Sequence, residues 1–297
     1  MSGPGCAAHP RDGERWRLRT AFGITAAILA VELIGGWWAN SVALLSDAGH
    51  VFTDLGALAL SYGAFLLSVR PAGVRRTWGW YRLEILAALL NGVLLVGLAV
   101  FVVIEAVGRL KSPPVILTGP MLVAAVLGLV GNLAAMAVLY RGRGNLNIRG
   151  ALLHVAGDTL SSVGVIAAGA AIVLTGWTQA DAIAGMLIAA VIVISAVRLL
   201  AESVDVLLEA TPSGINLLEV SDAIAAVPRV SGVHDLHIWS ITSDMPALSG
   251  HVVVADGAPP GDTLNTIKRV LYERFSIAHS TLQIETPSYQ EFGEVHD

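Results

Sequence analysis

Six apolar stretches, each close to the length that crosses a lipid bilayer, constrain this chain more than any other feature. A transmembrane helix needs about 20 predominantly apolar residues. The stretches lie at positions 18–38, 42–69, 83–107, 119–140, 148–175 and 181–200. Only 14% of the 297 residues are charged, against roughly 25% in soluble domains. The sequence therefore predicts an α-helical membrane protein with six transmembrane helices.

The composition changes after Glu209, where Thr211, Pro212 and Gly214 mark a break. Beyond it, "INLLEVSDAIAAV" and "DTLNTIKRVLYERF" have helical periodicity, whereas "VHDLHIWSI", "LSGHVVVA" and "STLQIE" are typical of strands. This order predicts a small αββαβ domain with helices on one face of a sheet. We divide the chain into an N-terminal tail (1–17), a six-helix membrane domain (18–209) and an α+β domain (210–297).

The basic residues predict the orientation of the membrane domain, because cytoplasmic loops carry an excess of Arg and Lys. Only Arg109 and Lys111 lie in the loops on one side. The N-terminal segment and the loops on the other side hold Arg15, Arg17, Arg19, Arg70, Arg75, Arg76, Arg82, Arg141, Arg143 and Arg149. Both termini and the α+β domain are therefore expected in the cytoplasm. No signal peptide is apparent in the polar first residues, and the compact loops favour a bacterial plasma membrane.

Spans two and five carry the same motif, H-x-x-x-D, as His50 with Asp54 and His154 with Asp158. Residues four apart lie on one face of a helix. Span two enters from outside and span five from the cytoplasm. At 1.5 Å per residue, both aspartates then lie near the middle of a hydrocarbon core about 30 Å thick. Two imidazoles and two carboxylates are thus expected to meet at one depth.

Such a set suits a tetrahedral Zn²⁺ site. Ca²⁺ and Mg²⁺ prefer six or more oxygen ligands, whereas Co²⁺, Cd²⁺ and Fe²⁺ remain alternatives. Cys6 is the only cysteine, so a CxxC site is excluded. Hydrogen-bonded pairs that hold the bundle together are the structural alternative, but two unneutralised carboxylates near mid-bilayer would each cost several kcal/mol. Protons compete with metal for these groups, which is the basis of an exchanger.

Asp47 lies one turn before His50, on a similar helix face. It could guide metal to the site from the outer vestibule, or it could cap the helix and serve the structure alone. The sequence leaves both roles open.

The chain resembles the cation diffusion facilitator family, in its bacterial and organellar zinc-exporter branch. The matching stretches are "SVALLSDAGHVFTDLGALAL", "TWGWYRLEILAALLNG", "NLNIRGALLHVAGDTLSSVGVI", "VHDLHIWSI" and "STLQIE". The resemblance implies a homodimer with six helices per subunit, a metal site on helices two and five, and a cytoplasmic metallochaperone-like domain. It also implies export of zinc in exchange for protons by alternating access.

The resemblance extends to the α+β domain, where His234, His251, His279 and Glu285 match a cytoplasmic zinc site near the dimer interface. Surface or core histidines with hydrogen-bond partners are the alternative for this set. Strand alternation places His234 and His237 on opposite faces, so these two are not expected to share an ion. Arg82 matches a basic position of the family that pairs with an acidic residue after helix six, here Glu209.

The sequence thus predicts a proton-coupled exporter of Zn²⁺, with Cd²⁺ and Co²⁺ as further candidate ions, and not an enzyme. The transported ion is expected at His50, Asp54, His154 and Asp158, with histidines as proton acceptors because imidazole titrates near pH 6.5. Its partners are a second copy of the chain, lipid and protons, without nucleic acid. An intramembrane zinc hydrolase is one alternative, although it would need an open water position and often H-E-x-x-H. A metal sensor is the other.

Overall fold

Six long helices in the chain order expected of a six-span protein make up most of the described chain. The computed structural model describes residues 10–68, 73–140, 146–242, 245–257 and 259–289. Cys6, Arg70, Arg141 and Arg143 lie outside these ranges. The long helices are α1 (Pro10–Ala39), α2 (Val42–Ser68), α3 (Leu83–Lys111), α4 (Thr118–Tyr140), α5 (Leu146–Thr175) and α6 (Gln179–Leu207).

Five of the long helices are apolar enough to cross a membrane, judged over the described residues: α1 from Trp16, α3, α4, α5 from Ala151, and α6. Helix α2, which coincides with the predicted second span, has 27 residues but is not among the five. The predicted fold class, a helical membrane domain followed by a small α+β domain, is confirmed.

Several helices extend beyond the apolar stretches that predicted them. Helix α6 continues seven residues past position 200, through the exposed Glu202 and Asp205. Helix α1 begins at Pro10, before the first apolar residue of its span. Backbone hydrogen bonding continues a helix without regard to side-chain polarity, so hydropathy defines the membrane-crossing part and not the end of the helix.

The chain divides into two compact units. One comprises the chain up to Ala59 together with Asn91–Arg198, and the other comprises Leu60–Leu90 together with the chain from Leu199 onward. In the first unit α4 packs against both α1 and α5. Glycines permit this close packing: a Cβ added at Gly35 would overlap Ala124, and one added at Gly131 would overlap Ile28.

The first turn of α2 is capped by a side chain from α6. Ser41 Oγ donates a short hydrogen bond to Asp181, and the Val42 and Ala43 N–H groups donate to the same carboxylate over 2.7 and 3.3 Å. Ser41 and Asp181 are fully buried. The first N–H groups of a helix lack partners within it, so Asp181 supplies acceptors that α2 does not have itself.

The second unit contains the α+β domain in the predicted order. It consists of α7 (Leu217–Ala225), β1 (Val230–Ser240), β2 (Pro246–Val254), α8 (Pro260–Phe275) and β3 (His279–Glu285). Strand β2 lies in the centre of the sheet, antiparallel to β1 and parallel to β3. The core of this domain includes Ile224, Leu248, Val252, Ile267 and Leu271.

A bulge in β1 changes which histidines share a face. His234 pairs with His251, whereas His237 pairs with Ser249. Three residues of β1 therefore span two residues of β2, and Asp235 in between has a φ of 49°. Because His251 and Ser249 are two apart on one strand, His234 and His237 lie on the same face. The prediction of opposite faces is wrong, since simple alternation ignores the extra residue.

Candidate metal centres

Helices α2 and α5 bring the two H-x-x-x-D motifs together. The Nε2 of His154 lies 3.3 Å from Asp54 Oδ2 and 3.7 Å from Asp158 Oδ2, and the Nε2 of His50 lies 3.5 Å from Asp54 Oδ2. The two imidazole centroids are 6.0 Å apart. These four side chains form what we call the four-group cluster. It is the convergence that the helical spacing predicted.

Ligand atoms of His50, Asp54 and His154 all lie within 4.8 Å of one another, which is typical of a metal site, and Asp158 lies beside this group through His154. Ligand atoms about 2.0–2.2 Å from a tetrahedral zinc lie roughly 3.3–3.6 Å from one another. Side-chain hydrogen bonds are shorter, near 2.7–3.2 Å. Among the described residues, Asp54 Oδ2 and Asp158 Oδ2 have no hydrogen-bond partner. His50, Asp54 and His154 are therefore spaced for a shared cation, with the Asp158 carboxylate next to His154.

The two aspartates differ in their access to solvent. The Asp158 side chain is 3% exposed and that of Asp54 is 20% exposed, while the His154 side chain is 43% exposed. Two carboxylates and two neutral imidazoles carry a formal charge of −2, which one divalent cation neutralises. Exposure falls from His154 through Asp54 to Asp158, which is the most buried of these three side chains.

Asp47 does not cap α2, since Asp181 and Ser41 do so. It is 1% exposed, and its Oδ1 has no hydrogen-bond partner among the described residues. Glu32 on α1, which sequence reasoning missed, is also 1% exposed. Glu32 lies inside an apolar span, and an ionisable residue in such a place is by itself a candidate functional residue. It has no partner at a recognisable spacing in the sequence.

A second cluster lies on the open face of the α+β sheet. His234 Nε2 is 3.1 Å from Glu285 Oε2, and His251 Nδ1 is 2.9 Å from Glu285 Oε1. One ligand atom from each of these residues lies within 4.8 Å of the others. Strand register explains the convergence: His251 pairs with His234 across the antiparallel ladder, and Glu285 pairs with Val253, on the same face as His251. We call these three residues the sheet triad.

His279, the fourth predicted member, lies apart from the triad within one chain. It begins β3, six residues before Glu285, which is about 20 Å along a strand. Its ring instead contacts Trp78 edge to face, with centroids 4.6 Å apart. Asp235, which was not predicted, lies beside the triad: its carboxylate is 3.0 Å from His237 Nε2 and 3.8 Å from His251 Nε2.

Arg82 and Glu209 form the expected ion pair at 2.7 Å. Their side chains are 41% and 57% exposed, and exposed pairs contribute at most about 1 kcal/mol.

In the first unit, Asn132 donates to Ser162 Oγ over 3.3 Å and so joins α4 to α5.

Comparison with known proteins identifies the family. Residues 18–208 match the profile of the cation efflux transmembrane domain, and residues 212–287 match that of the cation efflux protein, cytoplasmic domain. The metal cation efflux system protein CzcD of Cupriavidus metallidurans is 43% identical over 279 residues, covering 93% of this chain and 88% of the relative.

Two further relatives and one solved structure are also similar to this chain. The zinc transporter ZitB of Escherichia coli is 40% identical, covering 93% of this chain and 89% of the relative. The cadmium, cobalt and zinc/H(+)-K(+) antiporter of Bacillus subtilis is 37% identical, covering 95% and 92%. A solved structure, the metal-bound C-terminal domain of the Cupriavidus CzcD transporter, is 40% identical with a TM-score of 0.23, covering 24% of this chain and 99% of that one.

The family matches cover both the helical domain and the α+β domain, and the relatives are similar over nearly their whole lengths. They confirm the resemblance read from the sequence, and they overturn the hydrolase alternative because the family consists of metal transporters and not enzymes. The chain belongs to the cation efflux, or cation diffusion facilitator, family of multi-pass membrane metal transporters.

Proposed function

We propose that this protein exports Zn²⁺ from the cytoplasm in exchange for protons, by alternating access, as a homodimer in a bacterial plasma membrane. His50, Asp54, His154 and Asp158 bind the transported ion. The observation that carries this proposal is the close group formed by ligand atoms of His50, Asp54 and His154, with Asp158 Oδ2 3.7 Å from His154 Nε2 as the fourth candidate ligand, a ligand set that suits tetrahedral zinc. The names of the relatives, which include zinc, cadmium and cobalt transporters, support the same cargo.

Proton exchange follows from the ligand chemistry. Imidazole binds a metal only when neutral, and carboxylate binds it only when ionised, so protons and zinc compete for the same atoms. Ion release on the acidic side of the membrane is therefore coupled to protonation. The name of the Bacillus relative, an antiporter with H(+), supports this coupling.

Both termini and the α+β domain are assigned to the cytoplasm. The arginine distribution supports this orientation. In that domain, the sheet triad holds a second Zn²⁺ that is not transported. Two imidazoles and one carboxylate provide three protein ligands, and water or a residue of a second copy completes a tetrahedron. The match of residues 212–287 to the cytoplasmic-domain profile, whose short name is ZT_dimer, supports dimerisation through the α+β domain.

Zinc flux in proteoliposomes tests the proposal. We expect an imposed pH gradient, acidic on the side that receives zinc, to accelerate zinc movement severalfold over vesicles without a gradient. Equilibrium zinc binding to the full chain carrying Glu285→Gln, which isolates the membrane cluster, should weaken as the pH falls from about 7.5 to 5.5, because imidazolium cannot bind metal. Flux that ignores the gradient, together with binding that ignores pH, would indicate a passive channel instead.

A further inference from the structure

The turn between α1 and α2 consists of Asn40 and Ser41, and it ends α1 with a Schellman motif. The Ser41 N–H donates to the Gly36 carbonyl over 3.1 Å. The Asn40 N–H donates to the Trp37 carbonyl over 3.3 Å. This motif requires a left-handed residue at the position of Asn40, usually glycine and sometimes asparagine, and Asn40 has a φ of 55°. The direction in which α2 leaves α1 therefore depends on the backbone of Asn40.

Arg109, near the end of α3, binds Asn40 at two atoms. Its guanidinium donates from Nη1 to the backbone carbonyl of Asn40, and from Nη2 to the side-chain oxygen of Asn40 over 2.9 Å. Its Nε donates to Glu105, one turn earlier on α3, over 2.9 Å. The side-chain nitrogen of Asn40 in turn donates to the Val115 carbonyl over 3.3 Å. The Arg109 side chain is only 14% exposed, and its planar fork of donors is oriented by these three bonds.

The same turn sets where α2 begins. In the residues that follow Asn40, the Ser41 hydroxyl and the Val42 N–H donate to Asp181 on α6. All three of these groups belong to buried residues. A Cβ added at Gly185, also on α6, would overlap the Val42 side chain, so the first turn of α2 lies directly against α6. The cap by Asp181 therefore requires the exit direction that Asn40 sets.

Helix α2 transmits the position of its first turn to the four-group cluster. At 1.5 Å per residue, His50 and Asp54 lie about 12 and 18 Å along the helix from Val42. A tilt of about 5° at the first turn would displace Asp54 by about 1.6 Å at that distance. Zinc ligands must lie within about 0.2 Å of their ordinary distances from the ion. A small change at the turn is therefore enough to separate the ligands on α2 from those on α5.

We propose that Arg109 is a positioning residue for the transport site. By holding Asn40 in its left-handed conformation, Arg109 fixes the start of α2, and thereby the place where α2 presents His50 and Asp54. This inference rests on the proposed function. Arg109 acts through the turn and the helix, and not by contact with the ion. The role depends on the geometry of its donors rather than on its positive charge.

The first variant is Arg109→Gln, which removes the two bonds to Asn40. We expect the KM for zinc flux in proteoliposomes to rise by about tenfold, the lower end of the range that residues orienting metal ligands contribute. Maximal flux should change by less than about threefold. Equilibrium zinc binding, measured on the full chain carrying Glu285→Gln, should weaken by the same factor as the KM rises. A purely structural role would lower the amount of folded protein, and so reduce maximal flux at an unchanged KM.

Lys111→Gln is the matched control, because it removes the same charge from an exposed position at the end of the same helix. Its KM should stay within about twofold of wild type. Arg109→Lys keeps the charge, but an ammonium group lacks the fork that bonds both oxygens of Asn40 and Glu105 together. We expect its KM to rise as in Arg109→Gln.

A suppressor variant tests the route through the turn. Glycine adopts the left-handed region without steric cost, so Asn40→Gly should make Arg109 dispensable. The double variant Asn40→Gly with Arg109→Gln should therefore return the KM to within about threefold of wild type. Asn40→Ala, which differs from the glycine variant by one methyl group, is strained at a positive φ and should raise the KM by itself.

Several outcomes would overturn the proposal. They are a wild-type KM in Arg109→Gln, a wild-type KM in Arg109→Lys, and a double variant as impaired as Arg109→Gln alone. Reduced maximal flux at an unchanged KM would make Arg109 a structural residue and would also overturn it. Failure of the wild-type protein to carry zinc in the same vesicles would instead refute the proposed function, and equilibrium zinc binding by the same variants would still decide whether Arg109 positions the ligands.

Discussion

The four-group cluster and the sheet triad use similar ligands but are assembled in different ways. The first takes two pairs of residues from two helices, each pair four positions apart. The second takes one residue from each of three strands, aligned by the register of the sheet. Their formal charges also differ. Zn²⁺ with two aspartates is neutral, whereas Zn²⁺ with one glutamate keeps a positive charge, which is tolerated on a sheet face but not in the middle of a bilayer.

The comparison predicts that the two clusters can be disabled independently. Asp54→Asn removes a charged ligand from the membrane cluster, and we expect zinc flux to fall below detection while the sheet triad still binds zinc. The measurement is flux in proteoliposomes beside equilibrium zinc binding of the same detergent-solubilised protein. Asp205→Asn, an exposed change on α6, is the matched control and should transport normally. Substantial flux in Asp54→Asn would remove this residue from the transport site.

The reciprocal change is Glu285→Gln in the sheet triad. Glu285 contacts both histidines, so its loss should weaken zinc binding to the α+β domain by more than the roughly tenfold to hundredfold that outer-shell partners contribute. Flux should fall by less than about threefold at saturating zinc, since the proposed transport ligands are unchanged.

Glu273→Gln, on the exposed face of α8, serves as the control for the triad variant. Zinc affinity of the α+β domain that is the same in Glu285→Gln and Glu273→Gln would contradict the assignment of the triad as a metal site.

The smallest predicted effect concerns Asp235, beside the triad. A carboxylate that contacts the second nitrogen of a metal-binding imidazole orients the ring, and such partners contribute about tenfold to hundredfold in affinity. Because Asp235 is 3.8 Å from His251 Nε2, we expect Asp235→Asn to weaken zinc binding to the triad by about tenfold, the lower end of that range. Competition with a zinc-sensitive dye measures it, with Asp256→Asn in an exposed turn as control. An affinity equal to that of the control would show that His251 is oriented by other contacts.

The two clusters also differ in how far the sequence predicts them. The period of an α-helix fixes which side chains share a face, so the spacing of His50 and Asp54 alone implies their proximity. In a sheet, proximity depends on register and bulges. Asp235 has a positive φ at the bulge, but no glycine at this position signals it in the sequence. The extra residue of the bulge places His237 on the same face of the sheet as His234. A resemblance also matches positions without giving distances: it groups His279 with Glu285, which lies six residues, or about 20 Å, further along β3 in the same chain.

The cap on α2 has a consequence for how the protein is made. The carboxylate that accepts the first N–H groups of α2 belongs to Asp181, 140 residues after Ser41. Unsatisfied N–H groups are costly in a bilayer, so we expect α2 to reach its final position only after α6 has been synthesised and inserted. His50 and Asp54 are carried by α2. A nascent chain that ends before α6 therefore contains all four residues of the four-group cluster and still lacks the cap on the helix that carries two of them.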